Sequence, residues 1–286
     1  MNKSFTLIEI LVVIVIVGII SAFIIISMAG ISSKANIAKG QTFSNSLKNA
    51  LMLNMIAQYE LDGDASDSWG GHSAGTVSGA SSYSSCVQDT CYSFDGADDY
   101  IELADASDLR MTSGGTISAW IYPKTYGETA GRIIDKSTDT SATNGYMVFI
   151  NSNRALCLYV NGGNSTNSSS NAITFNQWQL ATVTFGGSGR KMYINGVDVT
   201  ASGGSGTVLP PNIAGVIRIG NRAGATDRTF DGYIDEVRIY NVVMPSSQVQ
   251  ENYYSGLNKL LKNKEITLKE FNQRLAELKN NLSNNE

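Results

Sequence analysis

WQLATVTFGGSGRKMYINGVDV, residues 178–199, decides the fold. QLATVTF reads as a strand, rich in β-branched and aromatic residues, and GGSGR at 186–190 as a glycine-rich turn. KMYI and VDV then flank Asn195-Gly196. That dipeptide suits a two-residue hairpin, because both central residues of such a turn need positive φ. Three strand-like pieces thus follow one another with no helical stretch between them. Strands joined this closely pair antiparallel, which predicts an all-β sandwich.

Similar runs recur on both sides: TISAWIYP (116–123), GYMVFIN (145–151), ALCLYVN (155–161), GVIRIGN (215–221) and YIDEVRIYN (233–241). In the first, Ile117, Ala119 and Ile121 alternate with Thr116, Ser118, Trp120 and Tyr122, which predicts one buried face in a half-exposed sheet. Trp120 and Trp178 lie within strand runs and are expected in the core. NGGNSTNSSSN (161–171) reads as a solvated loop. The chain carries 28 Gly and only 4 Pro, the texture of a β domain with many tight turns. Its formal charge of −4 points to no nucleic-acid partner. One histidine and three cysteines leave little material for a transition-metal site.

The start of the chain has a different character. In MNKSFTLIEILVVIVIVGIISAFIIISMAG (1–30), Leu7 to Met28 is apolar apart from Glu9, Gly18, Ser21 and Ser27. That length spans a bilayer at about 1.5 Å per residue, and Lys3 holds the start on the cytoplasmic side. A plain signal anchor and a secretory signal cleaved near Ser27-Met28-Ala29 are the simple readings. The run exceeds a signal core of about 7–15 residues, and Glu9 serves neither purpose. A mid-bilayer carboxylate costs up to about 2.5–3.5 kcal/mol, so an intramembrane charge implies a function and a partner. Ile31, Ala35, Ala38, Phe43, Leu47, Ala50 and Leu51 continue a helical stripe, so one long helix is expected from Phe5, with a domain boundary at 57/58.

SFTLIEILVVIVIVGII resembles the N-terminus of type IV pilins and type II secretion pseudopilins. The resemblance implies a leader peptide of residues 1–4. A prepilin peptidase would cut between Ser4 and Phe5 and methylate the Phe5 amine, and Glu9 would attract the amine of a neighbouring subunit during filament assembly. Opposite charges about 4 Å apart interact by about 4 kcal/mol at an effective dielectric near 20, enough to offset the burial of Glu9. Ser4 stands where that family usually has Gly, and Ile26 where it often has Pro. The subunit is expected first as a single-pass inner-membrane protein, then in an extracellular or periplasmic filament of homologous pilin subunits.

CYSFDGADDYIEL (91–103), TISAWIYP, the 178–199 stretch and FDGYIDEVRIYN (230–241) follow the order of a laminin-G-like, concanavalin A-like jelly roll, and QYELDGDASDSWGG (58–71) resembles its opening strand and loop. The resemblance implies a jelly roll over 58–256 that binds a glycan or surface. It also implies a structural calcium ion held by Asp67 and Asp235, with Asp95 as a third ligand. The alternative is that Asp67 caps a turn and Asp235 pairs with an arginine such as Arg238.

Other residues take simpler roles. Cys86 and Cys91 are spaced to close a short disulfide loop in an oxidising compartment, with two free thiols as the alternative. Cys157, among Leu156, Leu158 and Tyr159, reads as an unpaired strand thiol. Trp69, in the polar loop SDSWGGHS, is the candidate for stacking on a sugar. Residues 257–286 read as a surface helical hairpin, with stripes Leu257, Leu260, Leu261 and Leu268, Phe271, Leu275, Leu278 and an N-cap at Thr267. No catalysis is expected. Asp98-Asp99 and Asp235-Glu236 are adjacent, so within a strand they point to opposite faces, and His72 has no Ser or Cys partner at readable spacing. The expected function is a filament subunit that displays a lectin-like jelly roll. The alternatives are a membrane-tethered carbohydrate-binding protein that never polymerises and a minor pseudopilin.

Overall fold

The structure is a computed structural model, and it describes residues 54–137, 144–161, 164–187, 189–202 and 208–283. The chain divides into two units, 1–52 and 53–286. The leader, Ser4, Phe5, Glu9 and the apolar helix lie outside the described residues, apart from the last few residues expected to be helical. Asn54 forms a turn and residues 55–57 already belong to a strand, so the boundary expected at 57/58 moves earlier.

Among the described residues, sixteen strands follow in chain order. They are β1 (Met55–Tyr59), β2 (Thr76–Ser78), β3 (Ser81–Tyr83), β4 (Cys91–Asp95), β5 (Tyr100–Leu103), β6 (Gly115–Pro123), β7 (Gly131–Lys136) and β8 (Tyr146–Ile150). Then come β9 (Leu156–Val160), β10 (Asn164–Ser168), β11 (Gln179–Gly186), β12 (Gly189–Ile194), β13 (Val197–Asp198), β14 (Thr200–Ser202), β15 (Ile217–Ile219) and β16 (Asp231–Tyr240). A 3-10 turn spans Asp108–Arg110, and helices α1 (Ser246–Lys262) and α2 (Leu268–Ser283) follow the last strand. The first sheet runs β13-β12-β11-β6-β16-β4-β3, with β1 also on β16. The second runs β14-β10-β9-β8-β7-β15-β5-β2. Pairing is antiparallel, as at Val183 opposite Ile117 and Ile234 opposite Ile121.

The hairpin read from 178–199 takes its expected form. Asn195 and Gly196 have φ of 53° and 79° and join β12 to β13. Ile117, Ala119 and Ile121 of β6 face inward with Ile234, Val237 and Ile239 of β16, against Val148, Ile150, Leu156, Leu158, Ile217 and Ile219 of the other sheet. Burying each such side chain contributes about 1.5–3 kcal/mol before entropy is counted. Several segments form strands that the sequence does not mark, β2, β3 and β14 among them. Residues 164–168, expected in a solvated loop, form β10, pairing with β9 and β14 and burying Thr166. Residues 131–136 form β7 between β8 and β15.

The outer face of the first sheet corrects another expectation. Thr116 and Ser118 are buried, although alternation placed them on an exposed side, and Trp120 on the same face is buried as expected. The segment leading into α1 covers Thr116, whose hydroxyl donates to the Val242 carbonyl and accepts the Met244 N–H, and the helices cover Trp120. Trp120, Trp178 and Leu180 pack with Tyr253, Leu257 and Leu260 of α1 and with Phe271 and Leu278 of α2, forming a second apolar core. Trp120 stacks on Tyr253 at 5.8 Å. The hairpin thus starts at Ser246 and not at 257, because Pro245 stands in extended conformation just before the helix (φ −68°, ψ 152°). Its first turns show little apolar periodicity: Val249 and Tyr253 are buried beside the polar Gln248. Thr267 caps α2 by accepting the Glu270 N–H at 3.2 Å, while Leu268 of the expected stripe stays exposed.

Candidate functional site

The opening loop begins where β1 ends. Asp67 lies beside Tyr59 in an isolated antiparallel bridge. Its Oδ1 accepts N–H bonds from Gln58, Trp69 and Gly70 at 3.0, 2.9 and 3.0 Å. Its Oδ2 accepts the His72 N–H at 3.2 Å and meets His72 Nδ1 at 2.6 Å. Burial alone would push this carboxyl up, but the Gln58, Gly70 and Trp69 amides and His72 outweigh it and hold it below the usual carboxylate range. Gly70 is required here, since a Cβ would fall 1.9 Å from the Ile56 carbonyl oxygen. Knotted in this way, the loop presents Trp69 outward at 43% exposure. His72 also reaches the 3-10 turn, with Nε2 3.1 and 3.3 Å from the two carboxylate oxygens of Asp108.

Asp235 lies on β16 at a bulge between its pairings with β6, where Glu236 adopts φ 52°. The bulge places both acids on the helix-covered face, correcting the expectation that they point to opposite faces. Glu236 binds Lys259 of α1 at 2.6 Å and pairs with Arg238. Asp235 therefore does not pair with Arg238. It is fully buried, and its Oδ2 accepts N–H bonds from Val87 and Gln88 at 2.9 and 3.2 Å. Its Oδ1 has no hydrogen-bond partner among the described residues. Burial first, then the Glu236 and Asp62 charges, push this carboxyl well above the usual range. Val87 and Gln88 belong to the short loop closed by the Cys86–Cys91 disulfide, whose Cα atoms are 5.8 Å apart. Cys157 is free and buried in β9, and burial pushes its thiol up to about 12.

The carboxylates expected to share one calcium ion are not brought together. Asp95 faces Asp231 across the β4–β16 ladder. That position is four residues from Asp235, about 13 Å at 3.3 Å per residue. Asp95 instead gathers with Asp98 and Asp99 at the β4–β5 turn, their oxygens within 4.8 Å, so Asp98 and Asp99 do not diverge as a strand would require. Tyr59 stands between Asp67 and Val237 of β16, two strand spacings or about 9–10 Å. Both Asp67 oxygens are taken within its own loop. After Glu236, the carboxylate whose charge acts on Asp235 is Asp62, which accepts the Thr90 N–H at 3.1 Å.

Shallow clefts of about 430 and 360 Å³ share Lys191 and Tyr193 of β12 and Ser246 of α1. The ring of Tyr193 is buried there, whereas the indole of Trp69 is exposed.

Residues 1–25 match the prokaryotic N-terminal methylation motif. Residues 95–250 match the concanavalin A-like lectin/glucanases superfamily. No curated protein matches the chain. Among solved structures, domain 4 of AbnA, an extracellular arabinanase of Geobacillus stearothermophilus solved with arabinotriose, shares 22% identity over 69% of this chain and 97% of its own, at TM-score 0.55. The binding domain of Paraclostridial mosquitocidal protein 1 shares 15% identity over 73% of this chain and 53% of its own, at TM-score 0.57. Trypanosoma rangeli sialidase shares 13% identity over 70% of this chain and 32% of its own, at TM-score 0.55. The chain thus spans nearly all of the arabinanase domain, but about half and about a third of the other two. These likenesses carry the fold. Joined to a prepilin methylation motif, and matched over more than half its length, the chain belongs to the concanavalin A-like lectin/glucanases superfamily.

Proposed function

We propose that this protein is a pilin-like filament subunit that displays a lectin-like jelly roll for binding a glycan on a surface. The carrying observation is the fusion itself: a methylation motif at residues 1–25 and a lectin-superfamily domain at 95–250 in one chain. A prepilin peptidase releases Phe5, Glu9 draws the new amine of a neighbouring subunit, and the apolar helix passes from membrane to filament. The role is binding and not catalysis, with Trp69 as the stacking surface; the AbnA domain solved with arabinotriose supports a saccharide as the ligand class.

A structural calcium ion forms part of this reading, with a revised ligand set. The free Oδ1 of buried Asp235 fits a cation, and Asp62 is the nearby second carboxylate. Asp67 does not fit, since amides and His72 saturate it. A bound calcium would supply a compensating charge for Asp235 and tie the opening loop to the last strand.

Glu9→Leu tests assembly. Removing the charge lowers the cost of membrane insertion, so the variant should remain in the membrane and be lost from sheared surface filaments. Normal incorporation into filaments contradicts the assembly role. A glycan array probed with the full chain, beside Trp69→Ala, tests the ligand, with at least tenfold weaker binding expected from the variant.

A further inference from the structure

His72 is the single histidine of the chain, and both of its ring nitrogens face carboxylates. A neutral imidazole has one donor and one acceptor. Carboxylates only accept, so a neutral ring would set a lone pair against an oxygen at one end. The arrangement is satisfied only by the imidazolium, which donates from both nitrogens. The two ends differ. Asp67 is inaccessible to solvent and fixed by four amides, whereas the Asp108 side chain is 48% exposed and belongs to a three-residue 3-10 turn. On loss of a proton the Asp67 contact persists and the Asp108 contact is the one released.

We propose that His72 is a protonation-dependent clamp, which ties the Trp69 loop to the Asp108 turn when charged and releases it when neutral, so that ligand contact through Trp69 weakens as pH rises. The inference rests on the reading of Trp69 as the stacking surface. The titratable groups facing His72 are Asp67 of its own loop and Asp108 of the 3-10 turn, and the charges of both also act on the Tyr59 hydroxyl of β1. Arg110, the cation of that turn, pairs with Asp105, leaving the Asp108 charge to His72. Burial pushes the imidazole down, but its hydrogen bonds to Asp67 and Asp108 outweigh that and leave it raised. A raised histidine contributes fully below its unfolded value of about 6.5 and loses that contribution as pH climbs through the folded value. Asp67, held low, stays ionised throughout that range. The clamp is therefore closed below about 6.5 and opens as pH climbs through the folded value.

The sole histidine gives one unambiguous Cε1 proton resonance in the full chain held in detergent. Its titration midpoint should lie above about 6.5. Amide hydrogen exchange of residues 63–75, corrected for intrinsic rate, should quicken through the same midpoint. Asp108→Asn should lower that midpoint and loosen the loop in acid. His72→Gln should abolish the pH dependence. Should His72→Gln fail to fold, Asp108→Asn decides alone, since its side chain is half exposed. A midpoint at or below the ordinary value, or loop exchange indifferent to pH, overturns the clamp. A glycan array at pH about 5.5 and about 8 separates the two ideas. Binding that falls at the higher pH supports the clamp, and equal binding at both overturns its effect on the ligand. No binding at either pH sinks the glycan reading, while titration and exchange still decide the clamp.

Discussion

Asp235 concentrates the residue-scale argument, because a buried carboxylate with one oxygen unmatched opposes folding unless something compensates it. Its folded form is raised. Without a cation, the folded state therefore binds the proton more tightly than the unfolded state, and stability falls as pH rises from about 3.9 toward the folded value. In chelator the full chain should lose stability over that range, and Asp235→Asn should remove the slope. Calcium at a hundred times its dissociation constant should restore about 2.7 kcal/mol to the wild type and nothing to Asp235→Asn. Thermal unfolding with and without chelator reads both effects, and superimposable curves for the two proteins contradict the site. Sequence marked Asp235 as a candidate but attached the wrong companions. Asp67 sits in a loop whose Trp69, Gly70 and His72 amides turn toward it, and Asp95 sits about 13 Å along the ladder, relations that depend on register and not on spacing in the chain. The bulge at Glu236, which turns two adjacent acids to one face, has no signal in YIDEVRIYN either.

Helix α1 gives the sharpest test at the level of elements. Glycine inside a helix is ordinarily about 1 kcal/mol worse than alanine, so Gly256→Ala would stabilise an exposed helix. Here a Cβ would fall 2.3 Å from Cζ2 of the Trp120 indole, which is wedged against Tyr253. Gly256→Ala should instead cost about 1–3 kcal/mol by overpacking, read as a lower urea midpoint with an unchanged slope. A neutral or stabilising result would mean that α1 does not seat against the sheet. The hairpin at Asn195-Gly196 was legible because its turn chemistry is local. β10 was not, because NSTNS has no apolar alternation and owes its form to β9 and β14 on either side. The helices were legible as amphipathic segments, but nothing in 257–286 says which surface their stripes cover. The answer lay on β6, where Trp120 occupies a position that alternation assigns to solvent.

At the scale of the whole molecule, the order of motifs identified the jelly roll, and the first thirty residues identified a second, unrelated purpose for the chain. The proposed function joins the two: the N-terminal segment is processed for a filament, and the lectin-like domain is what the filament displays. That is the central claim, and intact mass spectrometry of the subunit in sheared surface filaments tests it most directly. The expected species begins at Phe5 and carries one methyl group on its amine. A subunit still beginning at Met1, or one beginning at Gly30, would contradict the account.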